Sequence, residues 1–218
     1  FTVTKAEGEW ENTYQNQNSW HSMFWVKGGN LTIEDSSEGT GAIVQLNSNP
    51  AVLVEKNGTL TVNGGTIKAE SDGGENKTDS YRLVCAVDVA NGTAYLNGGS
   101  FWGSMVGVNV LSKVYITGGT FHGDTSNALY VDSGNGAVLS GGKYTTGENV
   151  ECSIYYAKEN WTNVSAKDLL AGGYQYVDES GSASTLSTNS LGVVGNAEVV
   201  PAAGTVEYIG EGGAKQVC

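Results

Sequence analysis

Apolar and polar residues alternate with a period of two through most of the chain, and short alternating runs are broken by polar turns instead of merging into helical stripes. Four runs end in the same way. Leu60-Thr-Val-Asn-Gly-Gly-Thr-Ile67, Ala94-Tyr-Leu-Asn-Gly-Gly-Ser-Phe101, Val114-Tyr-Ile-Thr-Gly-Gly-Thr-Phe121 and Ala137-Val-Leu-Ser-Gly-Gly-Lys-Tyr144 align on their paired glycines. Upstream of each pair lies a second alternating run, carried by Val52/Val54, Val87/Val89, Val108/Val110 and Leu129/Val131. Side chains two apart share a face of a strand, so each unit of about 20 residues reads as three short strands with one apolar face. Such a unit cannot bury that face alone, whereas stacked units place the same apolar columns on one another. The glycine pairs then mark tight bends between strands, where a positive φ and crowding between layers exclude a Cβ. The predicted fold is all-β, a parallel β-helix, and parallel crossover connections make it right-handed.

The two ends depart from the repeat. Trp10, Tyr14, Trp20, Phe24 and Trp25 concentrate aromatic residues in positions 1–30, which are expected to cap the open end of the stack in residues 31–160, with a binding surface formed by some of them as the alternative. A cap and tail follow in 161–218. Ser165 and Asp168 predict an N-capped helix over Ser165–Ala171, ended by Gly172 and Gly173 and plugging the last rung. Strand-like runs at Leu191–Val194, Glu198–Val200 and Thr205–Ile209 leave the tail as either a small β appendage or a linker. Ser71 to Ser80 reads as a polar insertion between the first two glycine pairs.

The strand–Gly–Gly–Thr–Phe units resemble the right-handed β-helix repeats of large bacterial surface proteins of the gut Firmicutes type. Val164-Ser-Ala-Lys-Asp-Leu-Leu-Ala-Gly-Gly-Tyr-Gln-Tyr176 looks like the unit that closes such arrays. The resemblance implies an extracellular, wall-attached or secreted adhesin that engages a host glycan, a mucin or an immunoglobulin-type protein. The start at Phe1, with no leader before it, fits a piece of something longer.

Composition narrows the chemistry. With 11 basic and 23 acidic residues the chain carries a formal charge of −12, and its one arginine is Arg82. That balance repels nucleic acid, anionic membranes and polyuronates. No catalytic constellation is evident. The carboxylates Asp72, Asp88, Asp124 and Asp132 are scattered, and His21 and His122 stand outside any zinc-ligand spacing. Asp88, flanked by inward Val87 and Val89, is expected to be a solvated outer residue. The turns Asp72-Gly-Gly-Glu75 and Asp132-Ser-Gly-Asn-Gly136 lack the spacing of calcium loops. Sequons at Asn30, Asn57, Asn76, Asn91, Asn160 and Asn163 read as ordinary Asn/Thr-rich turns. Cys85 and Cys152 fall three layers apart, beyond disulfide reach, and are expected to be buried free thiols; Cys218 at the chain end adds little. No catalytic residue, metal or cofactor is assigned, and the chain is expected to be a monomer.

The alignment also places aromatic residues on the outside. Tyr95 and Tyr115 lie between inward neighbours one layer apart, Trp102 and His122 follow inward Phe101 and Phe121, and Tyr130 sits between Leu129 and Val131. Exposed, rigid aromatics serve as interface anchors and offer flat faces to sugar rings. These five residues form the candidate ligand-binding set of a non-enzymatic adhesion module, or else a ladder whose cross-strand packing only stabilises the stack. A carbohydrate-active lyase or hydrolase with dispersed catalytic residues, and a structural spacer, are the competing readings.

Overall fold

The computed structural model describes residues 2–4, 22–35, 41–46, 49–71, 83–132, 136–157, 164–204, 207–209 and 215–217. The chain visits three sheets in rotation. Sheet 2 holds parallel strands Phe24–Lys27, Val52–Glu55, Cys85–Val89, Val106–Val110, Leu129–Val131 and Cys152–Tyr156. Sheet 3 holds Asn30–Ile33, Gly58–Val62, Gly92–Leu96, Lys113–Ile116 and Ala137–Leu139, and sheet 1 holds Thr2–Thr4, Ala42–Gln45, Thr66–Ala69, Ser100–Gly103, Thr120–Gly123 and Lys143–Thr146, again parallel. Each circuit contributes one strand to every sheet, which is consistent with the parallel β-helix that the repeats predict.

Register follows the glycine alignment. Ile67, Phe101, Phe121 and Tyr144 pair in succession, and so do Leu60, Ala94, Val114 and Ala137. These residues, with the Val, Leu and Ile columns of sheet 2, make one contiguous buried core. Within it Phe101 stacks on Phe121 and Phe121 on Tyr144, with ring centroids 4.8 and 5.0 Å apart. The Tyr144 hydroxyl, buried with its ring, donates to the Gly141 carbonyl at 3.0 Å, which removes the cost of leaving it unpaired.

The bends behave as their residues require. The second glycine of each pair has φ of +83° (Gly65), +97° (Gly99), +101° (Gly119) and +103° (Gly142), a region that side chains with a Cβ avoid. At Gly99 a Cβ would also lie 2.7 Å from the Gly65 carbonyl oxygen one rung away. Backbone conformation and inter-rung crowding therefore select the same residue.

At the C-terminal end the chain reverses direction. Gly192–Val194 adds antiparallel to Cys152–Tyr156, closing sheet 2. Ala197–Pro201 adds antiparallel to Lys143–Thr146, with Tyr174–Val177 outside it, closing sheet 1. Most of the tail is thus a β cap on the stack. Glu207–Ile209 pairs with Lys215–Val217 as a separate two-stranded piece.

The expected Ser165–Ala171 helix is shorter than its sequence suggests. A 3₁₀ turn covers Ala166–Leu169, and a capping box joins Ser165 to Asp168. Leu170 is already extended, because it bridges to Leu139 at the end of sheet 3, so the turn stops before Gly172. Ala166 and Leu169 are buried, and the Tyr176 hydroxyl donates to the Ala166 carbonyl at 2.8 Å.

At the other end Phe24 and Trp25 lie in the first parallel strand of sheet 2. Trp10, Tyr14, Trp20, His21, Asp72-Gly-Gly-Glu75 and Asn76, Arg82, Ser133 to Asn135, Asn160, Asn163 and Cys218 lie outside the described residues, as does all but Ser71 of the 71–80 insertion.

Candidate binding faces of the stack

The five candidate residues fall on three faces, one for each sheet. Tyr95 and Tyr115 are register partners on sheet 3, with ring centroids 5.2 Å apart and planes 11° from parallel. They are 41% and 37% exposed, and Val138, the next residue of the same column, is 40% exposed. Two nearly parallel rings this close cannot lie side by side in one plane without overlapping, so they form an offset stack standing on the sheet. Thr61 precedes Tyr95 in register and Val138 follows Tyr115. The ring faces are therefore turned towards neighbours in the column, and what projects outward is ring edge and phenolic hydroxyl.

Trp102 and His122 are partners on the outside of sheet 1, with ring centroids 6.0 Å apart and planes 10° from parallel. On the other side of the indole, the Lys68 ammonium stands 4.4 Å from its ring centroid. Lys68 is in turn paired with Glu70. The imidazole is oriented by Thr145, whose Oγ1 lies 2.9 Å from Nδ1, while Nε2 is 3.8 Å from Asp124 Oδ1. A hydroxyl, an imidazole and a carboxylate in sequence resemble a nucleophile relay. The Thr145 hydroxyl, however, donates to the Phe121 carbonyl at 3.3 Å, and the carboxylate is beyond hydrogen-bonding distance. The trio holds His122 against Trp102, and the indole is flanked on both faces.

Tyr130 faces outward from sheet 2 and is half-buried, stacked on its partner Tyr155 with centroids 6.0 Å apart. It occupies a column running Trp25, Leu53, Asp88, Asn109, Tyr130, Tyr155. This column corrects the reading of Asp88 as a solvated residue. Asp88 is only 3% exposed, and its Oδ1 accepts from Asn109 Nδ2 at 2.8 Å. Burial pushes its carboxyl up to about 6, opposed by the Asn109 hydrogen bond and reinforced by the nearby Glu55 charge. The fully buried Cys85 thiol is pushed up by the same burial and by Asp88 itself. Leu53 and Asn109 are buried beside it, so the middle of this outer face is closed to a ligand.

Cys85 and Cys152 are free and buried, as the layer count predicts. Among the described residues no group of three or more His, Cys, Asp or Glu could hold a metal ion. The candidates therefore do not converge on one pocket. A shallow depression of about 270 Å³ lies over the Gly64-Gly65 and Gly99 bends, and none of the five lines it. Val138, Lys68, Thr145 and Tyr155 complete the columns and were not among the candidates. The alternation that selects Tyr115 and Trp102 marks Val138 and Lys68 as outward too, although neither carries an aromatic ring.

No protein-family model, curated protein or solved structure matches this chain.

Proposed function

We propose that this chain is a non-enzymatic binding module of a bacterial cell-surface or secreted protein, an adhesin that holds a host glycan or glycoprotein against the outside of its β stack. The observation that carries this reading is the exposed Tyr95–Tyr115 stack, extended by Val138 along one column of sheet 3. Large side chains held rigid by stacking lose little entropy on contact, which suits them as anchors. Trp102 and His122, flanked on both sides within sheet 1, have a mainly structural role. The resemblance of the glycine-paired units to bacterial surface repeats supports the cell-surface setting.

The test is a glycan and host-protein array probed with the chain and with the Tyr95→Ala/Tyr115→Ala variant. A ligand retained by the first and lost by the second, with an unchanged circular dichroism spectrum, is the expected outcome. Release of hydrolysis or lyase products from a polysaccharide panel would overturn the reading in favour of an enzyme.

A further inference from the structure

The outside of sheet 3 carries almost no charge. Although the protein has 23 acidic residues, the outward positions of all five sheet 3 strands contain no carboxylate and a single cation, Lys113. Two columns run across them. One passes through Asn30, Thr59, Thr93 and Lys113, and the other through Thr32, Thr61, Tyr95, Tyr115 and Val138. The result is a face of hydroxyls and aromatic edges repeating at one rung, about 4.8 Å for adjacent strands.

These hydroxyls are not consumed by the fold. No hydrogen bond joins Thr61, Thr93, Tyr95 or Tyr115 side chains to another described residue, whereas the neighbouring bend column is tied together, Thr117 donating to Asn97 at 3.1 Å and Asn97 to Asn63 at 2.9 Å. The sheet 3 face thus offers uncharged donors and acceptors in register, beside the apolar edges of two rings. A polyanion approaching it would meet the repulsion of the −12 chain with only Lys113 to offset it.

We propose that this face binds an uncharged polysaccharide laid along the stack, its hydroxyls bonding to Thr61, Thr93, Tyr95 and Tyr115 at successive rungs. One pyranose unit is close in length to one rung, so a regular chain meets a hydroxyl at each of three successive rungs, from Thr61, then Thr93 and Tyr95, then Tyr115. Because the tyrosine faces are turned into the column, contact is through hydroxyls and ring edges, without a sugar stacked flat on the rings. The inference rests on the adhesin reading and names the ligand class for the same face.

The experiment measures binding of soluble neutral glucans, mannans and galactans, and of sialylated and sulfated glycans, by isothermal titration at low and high salt. It uses the full chain, the Tyr95→Phe/Tyr115→Phe variant and the Thr61→Val/Thr93→Val variant. The phenylalanine pair keeps the rings and removes only hydroxyls, and the valine pair keeps the strand shape. The expected result is salt-insensitive binding of a neutral polysaccharide, weakened at least tenfold in each variant while the melting temperature is preserved. Binding confined to charged glycans, or unaffected by loss of the hydroxyls, overturns the inference and leaves the adhesin reading standing. Binding of a host protein alone, sensitive to Tyr95→Ala/Tyr115→Ala, does the same. If the chain binds no glycan and no host protein, both fail.

Discussion

Asn109 donates its side-chain amide to the Asp88 carboxylate across one rung at 2.8 Å, on an outward position where simple alternation places solvent. A buried carboxyl with one amide donor and, among the described residues, no cation in hydrogen-bonding contact has its protonated form favoured relative to a solvated carboxyl. Its ordinary value of 3.8 rises to about 6 in the folded chain. The sign follows from linkage: the native state holds this proton more tightly than the unfolded state. The contribution is therefore fully present below about pH 4 and is lost as pH rises through 6. Two units correspond to about 3 kcal/mol at most. Urea denaturation of the wild type between pH 4 and 7.5 should show this loss on top of the other titrations, and Asp88→Asn should remove it. Parallel pH profiles for the two proteins would refute the assignment.

Phe121 lies between Phe101 and Tyr144 in the core, with centroid distances of 4.8 and 5.0 Å. Truncating it opens a cavity that its stacked neighbours cannot close without leaving register. Phe121→Ala should cost about 3–5 kcal/mol in denaturant titration. Tyr115→Ala, removing an outward ring of similar size, should cost about 1 kcal/mol or less. Similar losses at the two sites would contradict the inward and outward assignment.

Gly119 and Gly172 offer a matched pair of alanine substitutions. At Gly119, φ is +101° and an added Cβ would lie 2.9 Å from the Gly99 carbonyl oxygen, so destabilisation should exceed about 1 kcal/mol. At Gly172 no described atom beyond its own chain neighbours lies within 4 Å of an added Cβ, and thermal melting should be almost unchanged.

Cys85 is fully buried and its thiol is pushed well up, by burial first and by Asp88 second. Its peptide should stay unlabelled by a maleimide at pH 8 until denaturant is added, as mass spectrometry would read. Rapid labelling of the native chain would show that the sheet 2 face opens.

The three-strand unit was legible because alternation and the paired glycines report the same geometry. Val87, Leu96 and Phe121 point inward as their spacing requires, and Gly119 takes the positive φ its bend demands. Alternation says which face a residue occupies, but not whether another layer covers that face. Asp88 and Leu53 show the difference: both are outward by phase and buried in fact. The cap was half legible for a related reason. The runs near Val193 and Val199 announce strands, but nothing in a three- to five-residue run states that it pairs antiparallel. In the candidate faces, position was readable and ring orientation was not. Whether Tyr95 presents its face or its edge is decided by the neighbour one rung away, about 20 residues distant in sequence.

The reversal of direction at Gly192–Val194 and Ala197–Pro201 makes length an independent design variable of this molecule. Because those strands pair with the last rung alone, a unit such as residues 85–104 could be duplicated internally without rebuilding that end. Each copy would lengthen the tyrosine column by one more ring, so the reach of the face would scale in whole steps, like graduations on a ruler.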